Sequence, residues 1–276
     1  MSITKSEFNY IRDLVRERSA LVLDPGKEYL VESRLGPLAT KEGFSSLRHM
    51  VESLRSSPSN DLRRKVVEAM ATNETSFFRE IRTFEIFKKT ILPELLALRR
   101  STRSLNFWCA ASSGGQEPYS FAMLLREHSP SLGNWNIKFL ASDISQEMLA
   151  RARAGRFNQV EINRGLPANL LVKYFAKRGA AWEISPDIRC MVEFREINLI
   201  HSWPFLPIMD VIFMRNIMIY LDLETKKSIL RKTSRLLSPD GYLLLGGSET
   251  TTNLDDSFEP VSLDGATYFR LKKVAA

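Results

Sequence analysis

Four polar segments, each set beside an apolar run, hold the side chains that could do chemistry. Asn73-Glu74-Thr75-Ser76-Phe77-Phe78-Arg79-Glu80 gathers amide, hydroxyl, carboxylate and guanidinium groups around two rings. Such a cluster suits the lining of a cleft; a capped helix start with Phe77 and Phe78 in the core reads equally well. Ala110-Ala111-Ser112-Ser113-Gly114-Gly115-Gln116-Glu117-Pro118-Tyr119 follows a strand-like run over residues 105–110. Small residues between a strand and a helix let a ligand approach the backbone closely, although a plain connecting loop looks the same. Ala141-Ser142-Asp143-Ile144-Ser145 ends a second strand candidate. An acidic residue there can accept from ribose hydroxyls, or Asp143 or Ser145 can cap the next helix. With the Gly-Gly loop, Asp143 favours an adenosine ligand. Met214-Arg215-Asn216-Ile217-Met218-Ile219-Tyr220 ends a third apolar run and puts Arg215 and Asn216 at the same edge of the sheet. In the alternative reading Asn216 caps a helix and Tyr220 packs.

Several chemistries are disfavoured. The dinucleotide fingerprint G-x-G-x-x-G and the P-loop are absent, which weakens nicotinamide and nucleoside-triphosphate readings. Cys109 and Cys190 are the only cysteines, too few for a disulfide framework. His49, His128 and His201 are isolated from them and from one another, so no metal site is expected. The opening residues are polar and no stretch approaches 18 uncharged apolar residues, so neither a secretory signal nor membrane insertion is expected, and the chain reads as cytoplasmic. The formal net charge of +7 points to an acidic partner or merely to a solvated surface.

The elements that must position these groups fall into two grammars. Residues 1–72 carry helical stripes: Phe8, Ile11, Leu14, Val15; then Leu47, Met50, Val51, Leu54; then Leu62, Val66, Val67, Met70. Thr4 and Glu7 form a possible capping box, and Gly36-Pro37 is expected to bend or end a helix. Residues 73–90 read as a linker and cleft-lining segment, with a helix over 84–99 interrupted at Pro93. From 91 to 276 strand and helix patterns alternate, the signature of a parallel sheet covered on both faces. Ser238-Pro239-Asp240-Gly241 reads as a turn, and residues 266–271 as an antiparallel edge strand. Residues 157–196 break the rhythm and read as an inserted subdomain.

The strings NETSFFRE, WCAASSGGQEPYS, ASDISQEML, RNIMIYLD and LSPDGYLLLGGSE, in this order over residues 70–270, resemble the chemotaxis receptor glutamate methyltransferases, the CheR-type family. The resemblance implies an α/β fold: a Rossmann-like class I S-adenosylmethionine-dependent methyltransferase domain with a small β-subdomain inserted, behind a small all-α N-terminal domain. It implies methyl transfer from S-adenosyl-L-methionine to glutamate side chains on the cytoplasmic signalling helices of chemoreceptors, leaving S-adenosyl-L-homocysteine. By motif, Asn73, Thr75 and Arg79 line the cofactor and substrate cleft, Glu117 and Asp143 contact the methionine and adenosine portions, and Asn198, Leu199, Arg215 and Asn216 complete the pocket. Arg79 would orient the substrate carboxylate and Tyr220 would align the reacting groups.

That chemistry agrees with the residue inventory. A glutamate carboxylate, with a pKa of about 4.3, is ionised at neutral pH and needs no general base. In-line approach and partial desolvation are what remain to be supplied. Two features depart from the family. The stretch 27–41 contains Arg34 but few other cations, so receptor docking would use other charges. The insertion is short and Gly-poor, so capture of a receptor C-terminal peptide is not expected. Two readings compete: the same cofactor with a nucleic-acid substrate, against which stands the lack of a dense basic stripe with interleaved aromatics, and a silent module that only binds cofactor or receptor.

Overall fold

The computed structural model describes residues 3–56, 59–128 and 132–273. They divide into a helical unit, residues 1–72 with 220–225, and an α/β unit, residues 73–219 with 226–276.

The helical unit holds α1 (Lys5–Ser19), α2 (Glu28–Lys41), α3 (Leu47–Ser56) and α4 (Asn60–Met70). The apolar stripes read from the sequence form its core: Ile11, Val15, Met50, Val51, Leu54 and Val66 are fully buried. At Gly36-Pro37 the helix does not end, because α2 runs through Pro37. A proline inside a helix costs about 3 kcal/mol. Val31, Leu35 and Ala39 lie buried on both sides of it, and burying a Val or Leu gains about 1.5–3 kcal/mol each, so the stripe outweighs the break. Arg34 donates to the carbonyls of Met70 (2.5 Å) and Ala71 (3.1 Å) and to Thr72 Oγ1 (3.3 Å). The one cation singled out on this stretch is thus committed to closing the end of α4. Residues 220–225 join this unit through a bridge between Leu21 and Leu221 and a bond from the Val22 N–H to the Tyr220 carbonyl (2.9 Å).

The capping box at α1 is present, with Thr4 Oγ1 accepting from the Glu7 N–H and Glu7 accepting from the Thr4 N–H. The Thr4 hydroxyl and N–H, with Arg48 behind them, hold the Glu7 carboxyl down to about 2. A depressed carboxyl gives stability that is present above its unfolded value, about 4.3, and lost as pH falls towards 2. Thr4→Ala is expected to cost about 1 kcal/mol at neutral pH and to move acid opening of α1 to higher pH. Hydrogen exchange of the α1 amides in the full chain reads both; unchanged protection at pH 3 would rule this role out.

The α/β unit opens with α5 (Ile81–Ile86), a π-helical turn (Phe87–Ile91) and α6 (Leu92–Leu98) in one continuous run. The expected interruption at Pro93 is replaced by that π turn, in which the Leu92 N–H reaches the Phe87 carbonyl. The wider turn accommodates a ring that brings no donor. Residue 90, the expected end of the linker, lies inside this run, whose Phe84 and Phe87 sit in the core. There follow β1 (Ser104–Ala110), α7 (Gln116–Glu127), β2 (Asn136–Asp143), α8 (Gln146–Ala154), β3 (Arg156–Asn158), α9 (Gln159–Asn163), α10 (Ala168–Tyr174), β4 (Phe175–Arg178), β5 (Ala181–Ile184) and α11 (Pro186–Arg189). The remainder is β6 (Val192–Glu196), β7 (Met209–Met214), α12 (Leu223–Leu236), β8 (Leu237–Leu245), β9 (Phe258–Leu263) and β10 (Ala266–Leu271).

The main sheet has the order β6-β2-β1-β7-β8-β10-β9. Its first five strands are parallel, and β10 runs antiparallel to both β8 and β9. Strand order reverses between β1 and β7, so the crevice at their carboxyl ends is the switch point where such sheets bind ligands. β7 is buried along its whole length, as a central parallel strand must be. Phe121 stacks on Phe213 (3.9 Å) and on Phe84 (4.3 Å), fixing α5 and α7 against β7.

Three sequence expectations change here. The small sheet β3-β5-β4 forms the insertion, but Val192–Glu196 pairs with β2 in the main sheet, so the insertion does not extend to residue 196. β10 is antiparallel yet interior, and Phe258–Leu263, unnoticed in the sequence, is the edge. Ser238-Pro239-Asp240-Gly241 is an irregularity within β8, where Leu237 pairs with Met209 and Tyr242 with Val211. Arg99 holds it by ion pairs to Asp210 and Asp240.

Candidate active site

The carboxyl ends of β1 and β7 leave the sheet through strained backbone. Ala111, Ser113 and Asn216 take positive φ values of 57°, 48° and 56°, as do Phe78 (48°) and Glu80 (59°). None is glycine, and such conformations persist only where surrounding contacts impose them.

Asp143 ends β2 and is buried. Its Oδ2 accepts from the Ser113 N–H (2.8 Å) and its Oδ1 from the Ser145 N–H (2.9 Å). The helix cap is Ser145, whose Oγ accepts from the Met148 N–H (3.2 Å), so the capping alternative for Asp143 falls away. Ser113 Oγ donates to the Asn73 carbonyl (2.8 Å), tying the β1 loop to the start of NETSFFRE. Asn73 and Thr75 line a cavity of about 190 Å³ with Ser113, Gly114, Met148 and Glu161.

Arg215, at the end of β7, is the hub. Its side chain has no exposed surface. Nη1 pairs with Glu117, while Nη2 donates to Glu80 (3.1 Å) and to the Arg79 carbonyl (2.7 Å). Burial opposes its charge, yet Glu117 and Glu80 raise its pKa above the ordinary guanidinium value. Burial likewise works to raise Glu80, but the Asn216 amide, Arg215 and the Gly247 N–H hold it below the usual carboxylate range. The Cys109 thiol is driven well up by burial and by the neighbouring Glu117, so it is no nucleophile at neutral pH.

The remaining sequence-derived residues are placed as follows. Arg79 is half-buried and donates from Nη1 to the Glu74 carbonyl (3.0 Å). Glu74 is itself paired with Arg164. Asn198 accepts from the Ile200 N–H (3.2 Å) and closes the turn after β6. The Leu199 carbonyl accepts from Lys232 Nζ (2.5 Å) and from Trp203 Nε1 (3.2 Å). Tyr220 closes a 3-10 turn (Met218–Tyr220) and groups with the helical unit.

Residues 73–267 match the CheR methyltransferase SAM binding domain, and residues 6–71 match the CheR methyltransferase all-alpha domain. The chain belongs to the CheR methyltransferase family. Chemotaxis protein methyltransferase 1 of Pseudomonas aeruginosa is 38% identical over 276 residues, 99% of this chain and 100% of that one. Chemotaxis protein methyltransferase Cher2 of Pseudomonas putida is 37% identical over 99% of this chain and 100% of its own. Chemotaxis protein methyltransferase 1 of Vibrio cholerae is 36% identical over 99% of both. Among solved structures, the glycopeptide N-methyltransferase MtfA complexed with S-adenosyl-L-methionine superposes with a TM-score of 0.37 at 14% identity, over 63% of this chain and 51% of that one. That likeness is too loose to add to the family assignment.

The site of this CheR-family chain fits a polar cofactor. Ser112 Oγ, Gln116 Oε1 and Arg215 Nε are buried and have no hydrogen-bond partner among the described residues. All three lie on the β1 loop, the start of α7 and the end of β7, and buried polar atoms want partners. A Cβ on Gly114 would sit 2.8 Å from Gln116 Oε1, so a larger residue there would have to displace the Gln116 side chain. Among the described residues no cluster of three potential metal ligands occurs, and no helix is long and apolar enough to cross a membrane.

Sequence reading missed Glu80 and Glu249. Glu249 accepts from the N–H groups of Asn216 (2.7 Å), Gly246 (2.7 Å) and Ile219 (3.2 Å), tying the ends of β7 and β8 together. Both glutamates stand inside motif strings, but only tertiary closure shows what they touch. A Cβ on Gly246 would lie 2.6 Å from Asn216 Nδ2 and 2.9 Å from the Asn216 N. Gly246→Ala is expected to destabilise by about 1–3 kcal/mol through overpacking and to weaken cofactor binding with it. A urea midpoint and cofactor affinity both at parental values would contradict that packing.

Proposed function

We propose that this chain transfers a methyl group from S-adenosyl-L-methionine to glutamate side-chain carboxylates on the cytoplasmic signalling helices of chemoreceptors. The observation that carries the reading is the Arg215 cluster within a CheR-family SAM-binding domain: a buried arginine ion-paired to Glu117 and Glu80 at the switch point. The cofactor supplies a methyl group on a positively charged sulfonium. An acceptor glutamate is already ionised, so its oxygen bonds to the methyl carbon as the C–S bond breaks. The electron pair stays on sulfur and no proton moves. Burial of the Cys109 thiol in its neutral form fits a site that needs no nucleophile of its own.

Asp143 holds the ribose of the adenosine portion and Glu117 the methionine portion, with Asn73, Thr75, Arg215, Asn216 and the Asn198-Leu199 loop completing the pocket. Arg79 orients the incoming carboxylate and Tyr220 aligns the reacting groups. The chain acts in the cytoplasm, and nucleic acid is not its substrate. Docking of a receptor C-terminal peptide forms no part of the reading: the outer strands of the small sheet run only three and four residues, a short edge for strand addition.

The deciding experiment transfers tritium from methyl-labelled S-adenosyl-L-methionine to chemoreceptor-rich membranes, followed by mild alkali. Label released as volatile methanol is expected, the mark of a carboxyl methyl ester. Alkali-stable label would instead mean N-methylation, and cofactor binding without label on receptors would favour a silent module or another substrate.

A further inference from the structure

Glu80 has no role in the reading above, yet its carboxylate is tethered at three points. Oε2 accepts from the Gly247 N–H (2.9 Å) and from Arg215 Nη2 (3.1 Å), and Oε1 accepts from the Asn216 amide Nδ2 (3.1 Å). Its own backbone is left-handed, with φ 59°. An ionised carboxylate only accepts hydrogen bonds, so it must face the NH₂ end of the Asn216 amide. The main chain of Asn216 is fixed as well, because Glu249 takes its N–H at 2.7 Å. Gly246 packs so close beside Asn216 that a Cβ there would lie 2.6 Å from Asn216 Nδ2.

We propose that Glu80 is a positioning residue for methyl transfer: by capturing Asn216 Nδ2 it fixes the amide with Oδ1 free to accept from a donor group of S-adenosyl-L-methionine. The inference rests on the proposed role of Asn216 as a cofactor contact. A side-chain amide not held in this way has two orientations half a turn apart about its terminal torsion, and only one of them offers an acceptor. The strongest donor on the cofactor is its α-ammonium group, and a charge-assisted bond of that kind is stronger than a neutral one. Arg215 serves the arrangement from the other side. It holds the second oxygen of Glu80, and its own charge keeps that carboxylate ionised.

A double-mutant cycle on cofactor affinity tests this. Binding of S-adenosyl-L-methionine is measured by calorimetry for the full chain, for Glu80→Gln, for Asn216→Ala and for the double variant. Glu80→Gln is expected to weaken binding about tenfold in the parent, the scale of a hydrogen bond to a charged group, and by less than about twofold when residue 216 is alanine. A merely structural Glu80 would give the same loss in both backgrounds, and that result, or no loss at all, overturns the proposal. Glu80→Asp, shorter by one methylene, carries the same cycle if the glutamine variant does not fold. A parent chain that binds no cofactor would overturn the functional reading itself, a failure distinct from equal losses in a chain that binds normally.

Discussion

Arg215→Met is expected to remove about 3–5 kcal/mol from the stability of the α/β unit, the cost of taking one partner out of a buried ion pair. Methionine fills most of the volume of the arginine stem, so little of the loss comes from a cavity. What remains is electrostatic. Glu117 and Glu80 keep their places beside a site that no longer holds a positive charge, and the Arg79 carbonyl loses its donor. The four tryptophans, Trp108, Trp135, Trp182 and Trp203, all lie in this unit. Their fluorescence in a urea titration therefore reports its unfolding and not that of the helical unit. The pH dependence has a definite sign. Glu80 is held below the ordinary carboxylate range partly by Arg215, so the stability it contributes is present above about pH 4.3 and lost as pH falls through its lower folded value. The gap between parent and variant should accordingly narrow below about pH 4. A variant within about 0.5 kcal/mol of the parent at pH 7 would show that the cluster does not hold the switch point together.

The parts of this site that were legible in the sequence are those set by short-range pattern. The apolar runs at β1, β2 and β7 fixed where Ser113, Asp143 and Arg215 would emerge, because each strand end is followed at once by its polar residues. Their carboxyl-end placement then follows from the alternation of strand and helix. Glu80 and Glu249 were not legible as partners of Asn216, since their bonds to it span 136 and 33 residues. No local pattern encodes such a closure. Val192–Glu196 was misassigned for a related reason: its pairing with Phe139–Asp143 is non-local, and the strand is only five residues long. Pro37 and Pro93 misled in the opposite direction. Local rules say that proline breaks a helix, but buried stripes and a π turn override them. The strained conformations of Ala111, Ser113 and Asn216 were invisible because glycine is the usual signal for positive φ and none of the three is glycine. The helical unit shows the same limit in another form. Its three stripes were readable one by one, but the addition of residues 220–225 depends on a bridge between Leu21 and Leu221.

Turnover should fall by about 10²–10³ in Arg79→Ala if this residue orients the acceptor carboxylate, the scale of losing a positioned charge in an active site. The main chain and the side chain of Arg79 make separate contacts. Its main chain belongs to the scaffold, because its carbonyl accepts from Arg215 Nη2 at 2.7 Å, and an alanine keeps that bond. Its side chain spends one Nη1 bond on the Glu74 carbonyl, which steadies the guanidinium and leaves other donors of the fork for a carboxylate. The alanine variant should therefore fold with a parental urea midpoint while losing rate. Arg79→Lys should recover only a small part of that rate, since a point charge cannot reproduce the planar two-donor fork. Too tight a grip on the carboxylate would blunt the attacking oxygen, so the loss should appear in turnover more than in the Michaelis constant for receptor. Cofactor affinity separates this role from the alternative in which Arg79 serves the cofactor alone. Single-turnover rates at saturating S-adenosyl-L-methionine isolate the chemical step, and calorimetry gives the affinity. A rate that returns to the parental value once cofactor is saturating would assign Arg79 to cofactor binding. A rate that stays low, with affinity changed by less than about tenfold, would assign it to the acceptor.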